Sequence, residues 1–139
     1  MNATFIDTSF LIALTVDNDE LHHRALKWQR FIKTPLLTSE FVLLEFFDAM
    51  VATDLRERAE LTARAIESSP RVTLISLDRS LMMAGRTMFN GRPDKSWTLT
   101  DCISFCIMRE HDVSEALTYD HHFEQAGFRA LLRADPPIN

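Results

Sequence analysis

Four acidic residues of this 139-residue chain lie in apolar stretches, where a charged side chain is unusual: Asp7, Glu45, Asp101 and Asp120. Asp7 directly follows Phe5-Ile6, and Glu45 interrupts the apolar run from Phe41 to Phe47. No Lys or Arg lies within four residues of any of the four. Burying a lone carboxylate costs several kcal/mol, so each of these side chains needs a partner that its sequence neighbours do not supply.

Carboxylates that converge in one place favour a divalent cation between them. Two unit charges about 4 Å apart repel by about 4 kcal/mol at an effective dielectric constant of about 20, and a bound cation removes that repulsion. Hard oxygen ligands suit Mg²⁺ or Mn²⁺ and not zinc. The acidic residues therefore predict a Mg²⁺ or Mn²⁺ site, provided that the fold brings them together.

Each acidic residue also has an ordinary structural explanation. Asp7 and Asp101 stand where a carboxylate can cap a helix, and Asp120 stands at a strand-to-turn junction. Glu45 can be read as a buried acid that is satisfied without metal. The metal hypothesis therefore depends on all four residues lying at places compatible with one site.

Short predicted strands alternate with predicted helices along the chain. The strands are predicted at Thr4–Ile6, 36–38, Val72–Ile75 and 116–118, with a last edge strand at 128–132. The helices are predicted at 10–15, between Asp19 and Pro35, from the cap Ser39 to about 52, at 55–67, from Asp78 or Ser80 to about 89, from Thr100 or Asp101 to about 110, and in a short turn around Phe123.

This alternation implies right-handed crossovers and a mainly parallel sheet covered on both faces, which is a small three-layer α/β fold. Functional sites in such folds gather at the carboxyl ends of the strands. Asp7 and Asp120 each come just after a predicted strand, so the fold class itself places them where a site is expected.

Composition indicates a globular protein of one domain, with 46% hydrophobic and 25% charged residues. We predict a single domain over residues 1–135 and a short C-terminal tail at 136–139. The longest apolar run is interrupted by Glu45 and too short to span a bilayer, and the N-terminus lacks the features of a signal peptide. A cytoplasmic location without membrane contact is therefore expected. The net charge of −5 counts against a nucleic-acid partner, although bound metal would neutralise four of the 20 acidic residues.

The cysteines and the paired histidines are weaker candidates for chemistry. Cys102 and Cys106 are predicted to be small buried hydrophobic residues, because no further ligands at zinc spacing accompany them. Adjacent histidines on a helix point about 100° apart, so a soft metal shared by His22-His23 or by His121-His122 is not expected. A hydrogen bond from His122 near Asp120 remains open.

Motifs along most of the chain resemble the PIN domain. They are the segment Phe5-Ile6-Asp7-Thr8-Ser9, Glu45 within a helix, Thr100-Asp101-Cys102, and the stretch from Ala116 to Phe128. The most specific part is the Leu-Thr-x-Asp-x-x-Phe-x-x-Ala-Gly-Phe pattern of residues 117–128. Among PIN proteins the likeness is to VapC-like toxins of type II toxin–antitoxin systems. The resemblance implies a PIN-like three-layer α/β/α fold, a Mg²⁺- or Mn²⁺-dependent ribonuclease, a homodimer, and inhibition by a small antitoxin protein.

Carried over residue by residue, the resemblance places the same four acids on the family's acidic quartet. Ser9 and Thr118 match polar positions that support that site. Glu40 and Asp48 lie on the same predicted helix as Glu45 and compete with it, and Glu45 is preferred for its apolar surroundings and its position in the pattern. In the implied mechanism the three aspartates hold the metal, which activates water for hydrolysis of an RNA phosphodiester. Glu45 is then a further ligand or orients the nucleophile.

RNA contacts are predicted beside the acidic site, in the segment before and inside the loop at 90–96. The candidates are Arg86, Arg92 and Lys95 for the RNA backbone and Trp97 for a base. The alternative is a solvated loop with Trp97 packed on the core.

Two other functions remain open at this point. One is a PIN fold kept as an interaction module without catalysis, although such domains usually lose one or more acids and this chain keeps all four. The other is a PIN nuclease outside toxin–antitoxin systems, acting in RNA processing or on DNA flaps. The short chain favours the toxin.

Overall fold

A five-stranded parallel β-sheet forms the centre of the molecule. The computed structural model describes residues 2–138. The strands are β1 (Thr4–Ile6), β2 (Leu36–Ser39), β3 (Val72–Ile75), β4 (Glu115–Leu117) and β5 (Arg129–Ala130). They lie in the order β3-β2-β1-β4-β5, and all four neighbouring pairs are parallel. The predicted parallel sheet is confirmed.

Helices follow and cover the strands, as the predicted α/β fold requires. Over residues 2–138 the α-helices are α1 (Thr8–Thr15), α2 (His22–Phe31), α3 (Glu40–Ala49), α4 (Thr53–Ser68), α5 (Arg79–Gly91), α6 (Leu99–Glu110) and α7 (His121–Gln125). A 3₁₀ turn, Leu131–Arg133, follows β5. None of these described helices is long and apolar enough to cross a membrane.

The central strand β1 brings the first acidic residue to the middle of the sheet edge. All three of its residues are buried, because helices cover both faces of a parallel sheet and leave no polar face to the strand. β4 pairs with β1 in parallel, with Leu117 opposite Ile6. Asp7 and Thr118 therefore leave neighbouring strands at the same edge, where the fold class places a site.

Four helices begin at different residues from those predicted, and in two of them, α2 and α6, a side-chain hydrogen bond explains the difference. Asp19 does not open α2; its Oδ1 accepts a hydrogen bond from the backbone N–H of Leu21 at 2.9 Å, which makes a turn before the helix starts at His22. The helix predicted from Thr100 or Asp101 begins at Leu99, because Thr98 caps it. In both places a side chain that bonds to a backbone amide nearby decides the boundary.

The predicted edge strand at 128–132 is only partly correct. β5 contains two residues, and the chain then turns into the 3₁₀ segment. Leu131 and Leu132 are both buried in the core. The 3₁₀ turn places both leucine side chains in the core, and the backbone N–H of Leu132 donates to the carbonyl of Thr118 at 3.0 Å.

The segment after β5 packs on α2. Trp28 Nε1 donates to the carbonyl of Ala134 at 2.9 Å, and Arg24 donates to the carbonyl of Leu132 at 3.2 Å and to Asp135 at 3.0 Å. These contacts hold the chain against the body of the domain as far as Asp135. The division into a domain at 1–135 and a tail at 136–139 stays a prediction.

The contact between α5 and α6 depends on a glycine. A Cβ atom added at Gly85 would lie 2.3 Å from Cγ1 of Ile103, which is itself 1% exposed and has no room to move. At Gly91, the last residue of the same helix, an added Cβ would meet nothing within 4 Å. The two glycines therefore form a matched pair for testing how closely the helices pack.

We expect Gly85→Ala to destabilise the protein by about 1–3 kcal/mol, because overpacking at Ile103 outweighs the better helix propensity of alanine. Gly91→Ala has only the propensity effect and should leave the free energy of unfolding unchanged or raise it by up to about 1 kcal/mol. Urea denaturation followed by circular dichroism measures both. Equal effects of the two substitutions would contradict the close packing of α5 on α6.

Candidate active site

Asp7 lies at the carboxyl end of β1 and is 5% exposed. Its Oδ2 accepts a hydrogen bond from Thr118 Oγ1 at 2.7 Å and a longer one from Ser9 Oγ at 3.3 Å. Asp7 occupies the N-cap position of α1, yet its side chain makes no capping hydrogen bond. Helix capping, the ordinary explanation of this aspartate, is therefore not what the carboxylate does here.

The two polar residues predicted to support the site join the turn after β1 to the turn after β4. Ser9 Oγ and Thr118 Oγ1 lie 3.2 Å apart, and Ser9 Oγ accepts from the backbone N–H of Tyr119 at 3.1 Å. Thr118 Oγ1 also accepts from the backbone N–H of Asp120 at 3.0 Å. This network sets the position of Asp120 relative to Asp7.

Glu45 reaches the site from α3 and is half-buried. The hydroxyl of Thr8, the first residue of α1, donates to Glu45 Oε1. The rival Glu40 points elsewhere, because its Oε1 accepts from the backbone N–H of Leu77 at 2.7 Å. The second rival, Asp48, is exposed. Of the three acids on α3, Glu45 is the one held beside Asp7.

Asp101 lies in the first turn of α6 and is 6% exposed. It forms a capping box with Thr98. The Oδ2 of Asp101 accepts from the backbone N–H of Thr98 at 3.1 Å, and the Oγ1 of Thr98 accepts from the backbone N–H of Asp101 at 3.0 Å. The same Oδ2 lies 2.9 Å from Nδ1 of His122. The capping explanation of Asp101 is thus correct only in part, because Thr98 is the cap and Asp101 completes the capping box as the third helical residue. The carboxylate also lies beside a second element of the site.

Asp120 is half-buried and precedes α7. Its Oδ1 accepts from the backbone N–H of His122 at 2.9 Å and lies 3.3 Å from the Nδ1 of the same residue. His122 therefore contacts Asp101 and Asp120 together, which is the hydrogen bond that the sequence left open. His121 lies further out, with Nδ1 3.8 Å from Asp120 Oδ1 and an exposed side chain.

The pKa shifts of these acids indicate that the charges of the four carboxylates act on one another. Burial raises the pKa of Asp7 to about 7, against the opposing hydrogen bond from Thr118, and the charges of Asp101 and Glu45 raise it further. Burial also raises the pKa of Asp101, with the charge of Asp120 acting in the same direction. The pKa of Glu45 is raised by burial, against the opposing hydrogen bond from Thr8, and then by the charges of Asp101, Asp120 and, least of the three, Asp48.

The chemistry of this donor set suits a divalent cation, although among residues 2–138 no three of the four carboxylates place donor atoms within 4.8 Å of one another. Among residues 2–138, the ion pairs that these carboxylates form are with histidine and not with Lys or Arg. The hydrogen bonds just described converge on one oxygen of each side chain: Asp7 Oδ2, Glu45 Oε1, Asp101 Oδ2 and Asp120 Oδ1. Each carboxylate is held in place through one oxygen, and hard oxygen donors are what Mg²⁺ and Mn²⁺ prefer.

The weaker candidates are the two cysteines and the histidine pair beside Asp120. Cys102 is buried, Cys106 is half-buried, and both are free. The donor atoms of Asp120, His121 and His122 lie within 4.8 Å of one another, closer than adjacent helical histidines were expected to come. They belong to three consecutive residues at the rim of the acidic cluster, so His122 is best understood as part of the site already described.

The candidates for RNA contact differ in accessibility. Arg86 and Arg92 are exposed and Lys95 is half-buried. Arg92 donates two hydrogen bonds to Asp94, both at 3.0 Å, which partly neutralise its charge. Their role in RNA binding stays a prediction.

The contact predicted for Trp97 must be corrected. Trp97 is 5% exposed, its ring packs edge-on against Phe105 at 5.1 Å, and its Nε1 donates to Gln125 Oε1 at 3.0 Å. The guanidinium of Arg92 lies 5.1 Å from its ring centroid. The indole therefore has no open face for a base, and the alternative, packing on the core, describes it correctly.

Three residues of the site were not predicted from the sequence: Thr8, Thr98 and, in its contact with Asp101, His122. The spacing of Thr98 and Asp101 is that of a capping box, so a search for Thr-x-x-Asp before an apolar helix would have found Thr98. No comparable local signal exists for the other two. Thr8 and Glu45 are 37 residues apart, and Asp101 and His122 are 21 apart.

The fold and the acidic cluster define a known class of protein. The family description of the PIN domain matches residues 4–129, which is most of the chain. The chain therefore belongs to the PIN domain family, and the resemblance noted in the sequence is confirmed.

Individual relatives agree with this assignment. The chain is 27% identical over 124 residues to the 23S rRNA-specific endonuclease VapC20 of Mycobacterium tuberculosis, an alignment that covers 89% of this chain and 94% of VapC20. The crystal structure of that protein, described as a sarcin–ricin loop cleaving toxin, superposes with a TM-score of 0.83 at 26% identity, covering 90% of this chain and 95% of VapC20.

More distant structures share the fold. FitAcB from Neisseria gonorrhoeae gives a TM-score of 0.63 at 14% identity, covering 91% of this chain and 94% of the matched chain. VapBC2 from Rickettsia felis, solved bound to a DNA fragment from its promoter, gives a TM-score of 0.62 at 11% identity. The match covers 92% of this chain and 96% of the matched chain. At such identities the likeness concerns the architecture alone.

Proposed function

We propose that this protein is a Mg²⁺- or Mn²⁺-dependent endoribonuclease and the toxin of a toxin–antitoxin pair. The observation that carries the proposal is the convergence of four carboxylates from four separate elements, none of them paired with Lys or Arg among residues 2–138. Such a cluster repels itself unless a cation occupies it. Endonuclease activity in a relative that covers most of the chain supports the choice of reaction.

In the proposed mechanism Asp7, Asp101 and Asp120 would hold the cation, with Glu45 as a further ligand or as the group that orients the attacking water. When bound, Mg²⁺ or Mn²⁺ supplies charge neutralisation at the phosphate and a lowered pKa for water. The chain's own residues provide the positioning. Thr118 and Ser9 orient Asp7, and His122 holds the side chains of Asp101 and Asp120 at a fixed separation.

The substrate we propose is a structured RNA with an unpaired loop, such as the sarcin–ricin loop of 23S rRNA. The support is the substrate named for VapC20, to which this chain is similar along nearly its full length. Arg86, Arg92 and Lys95 remain candidates for contacts to the RNA backbone. The partners belonging to this proposal are a small antitoxin protein and a second copy of the chain, as expected for a VapC-like toxin.

A cleavage assay tests the reaction. The purified protein is incubated with a hairpin RNA containing the sarcin–ricin loop, and separately with total RNA, in EDTA, Mg²⁺, Mn²⁺ or Ca²⁺. We expect cuts in Mg²⁺ or Mn²⁺ and none in EDTA. Cleavage that persists in EDTA would overturn the metal-dependent mechanism, and metal binding without cleavage of any RNA would favour an interaction module.

Two neighbouring acids on α3 provide the internal control for this assay. Glu45→Gln should lower the cleavage rate, whereas Asp48→Asn, whose side chain is exposed, should keep it. Induced expression tests the toxin itself: the native protein should arrest growth, and a variant without cleavage should not. Cleavage in vitro without growth arrest would favour a PIN nuclease that processes RNA outside toxin–antitoxin systems.

A further inference from the structure

An exposed aromatic residue lies in the chain between two residues of the acidic site, and its ring faces the neighbouring cavity. Tyr119 is placed between Thr118, which holds Asp7, and Asp120, which belongs to the cluster. The last two residues of β4, Ala116 and Leu117, and the following Thr118 are buried, but Tyr119 is 42% exposed. Adjacent Cα atoms are about 3.8 Å apart, so this ring starts from the backbone one residue away from a proposed metal ligand.

The backbone of Tyr119 is fixed on both sides. Its N–H donates to Ser9 Oγ at 3.1 Å, and its carbonyl accepts from Arg133 Nη1 at 3.2 Å. The guanidinium of Arg133 also lies over the phenol ring, 4.5 Å from its centroid. Tyr119 and Arg133 thus form a stacked pair whose position is set before any ligand arrives.

The surroundings of the pair favour stacking over phosphate binding. Tyr119 lines a surface cavity of about 600 Å³ that also contains Asp19, Glu20 and Asp135. The two basic residues of this cavity, Arg24 and Lys27, both pair with Asp135, at 3.0 and 3.6 Å. The cavity therefore offers no concentrated positive charge to a phosphate, whereas the ring offers a planar apolar surface.

We propose that Tyr119, backed by Arg133, stacks on an unpaired base of the RNA next to the phosphate that is cleaved. Aromatic and guanidinium planes are the groups on which proteins stack single-stranded bases. The proposal takes the place of the base contact that Trp97 cannot make, because Trp97 is buried. It rests on the proposed ribonuclease function and adds to it a requirement that the loop of the substrate be unpaired at this position.

A double-mutant cycle that combines protein variants with RNA variants tests the stacking contact. The protein variants are Tyr119→Leu, which keeps an apolar side chain without an aromatic face, and Tyr119→Phe, which restores the face. The RNA probe is the sarcin–ricin hairpin, with each loop nucleotide replaced in turn by an abasic one. Cleavage is measured as kcat/KM in Mg²⁺, and binding as Kd in EDTA, so that contact and reaction are read separately. Leu61→Ala, an exposed leucine on α4, is the control.

We expect Tyr119→Leu to lower kcat/KM and RNA affinity by about 5- to 150-fold, the range for loss of one stacked base. At one loop position, the abasic substitution should lower the kcat/KM and RNA affinity of the native protein by a similar factor. The same substitution should not lower those of Tyr119→Leu further. Tyr119→Phe should recover the response to that nucleotide, and Leu61→Ala should behave as the native protein. A merely structural role for Tyr119 would give the same abasic penalties in both proteins.

Two results overturn the stacking proposal and are distinguishable from failure of the proposed function. If Tyr119→Leu binds and cleaves as the native protein does, the contact does not exist. If the abasic penalties are additive with the substitution, the base that matters lies elsewhere. Native protein that binds the hairpin but cleaves neither it nor total RNA refutes the nuclease and still tests stacking through Kd. Native protein that cleaves total RNA but does not bind the hairpin refutes stacking on this loop and leaves the nuclease standing.

Discussion

Asp7→Asn should abolish Mg²⁺-dependent RNA cleavage and at the same time stabilise the metal-free protein above pH 7. The loss of activity should be at least about 10³-fold, because removal of a metal ligand costs several kcal/mol of transition-state stabilisation. The gain in stability follows from the burial of Asp7, whose charged form has no cation in the free protein. The two effects have opposite signs, which separates a functional acid from a structural one.

The pH dependence gives the sign of the stability effect. The pKa of Asp7 rises from 3.8 to about 7 in the folded protein, so between these values the folded state holds a proton that the unfolded state has lost. The stability of the metal-free protein should therefore fall as pH rises from about 4 to about 7, and the cost should be fully present above pH 7. The pKa values of Glu45 and Asp101 are raised as well and act in the same direction.

Thermal unfolding at pH 5 to 8, in EDTA and in Mg²⁺, measures this prediction. The native protein should lose stability toward pH 8 in EDTA and regain it in Mg²⁺. Asp7→Asn should gain about 1–3 kcal/mol over the native protein in EDTA at pH 8 and respond little to Mg²⁺. Asp48→Asn removes an exposed acid whose charge acts on Glu45 less than those of Asp101 and Asp120, and it should stay close to the native protein. A destabilised Asp7→Asn with full activity would refute both the site and the electrostatic explanation.

The second large effect is expected at Phe105, the centre of an aromatic cluster behind the site. Phe105 is fully buried on α6, and its ring lies 4.9 Å from that of Phe123 on α7 and 5.7 Å from that of Phe128. Asp101 stands one turn earlier on α6, and His122 precedes Phe123. This packing therefore sets the distance between the two elements that contribute Asp101 and Asp120.

Phe105→Ala should cost about 3–5 kcal/mol of unfolding free energy, because it opens a cavity in the core. It should also weaken metal binding, since α6 and α7 lose the contact that fixes their separation. Urea denaturation and Mg²⁺ titration measure the two effects. If the alanine variant does not fold, Phe105→Leu retains most of the volume and should cost less than about 1.5 kcal/mol.

Phe89→Ala is the matched control, because Phe89 is an aromatic residue on α5 with 48% of its surface exposed. Its substitution should change stability by less than about 0.5 kcal/mol. A Phe105→Ala protein that loses less than about 1 kcal/mol would show that the aromatic cluster does not support the site.

The sequence predicts the fold well because its signals are local. The buried run of β1 marks a strand, and the caps Ser39 and Asp78 mark the starts of α3 and α5. The structure has all three where the sequence predicts them. The four acids were found by the same kind of signal, a charge in apolar company. Where the fold prediction failed, as at Asp19, the competing interaction was a single side-chain hydrogen bond that periodicity does not detect.

The unpredicted parts of the site depend on contacts between distant segments. From the sequence, an aromatic residue in a polar loop can be either a base contact or a core residue. For Trp97 the contacts with Phe105 and Gln125 show that it is a core residue. Glu45 could be separated from Glu40 and Asp48 by pattern, but its partner Thr8 comes from another helix. Arg133 beside Tyr119 ends a 3₁₀ turn that begins inside the predicted edge strand at 128–132 and passes one residue beyond it.

The pairing of β1 with β4 has a consequence for biosynthesis. Asp7 is synthesised early, yet the hydroxyl that holds it belongs to Thr118, 111 residues later. A chain emerging from the ribosome at about 5–20 residues per second thus spends several seconds with Asp7 made and the proposed site unassembled. Contacts of such long sequence separation also form late in folding. The nascent chain should accordingly be inert until its last strands are released, which delays any nuclease activity until translation of the molecule is nearly finished.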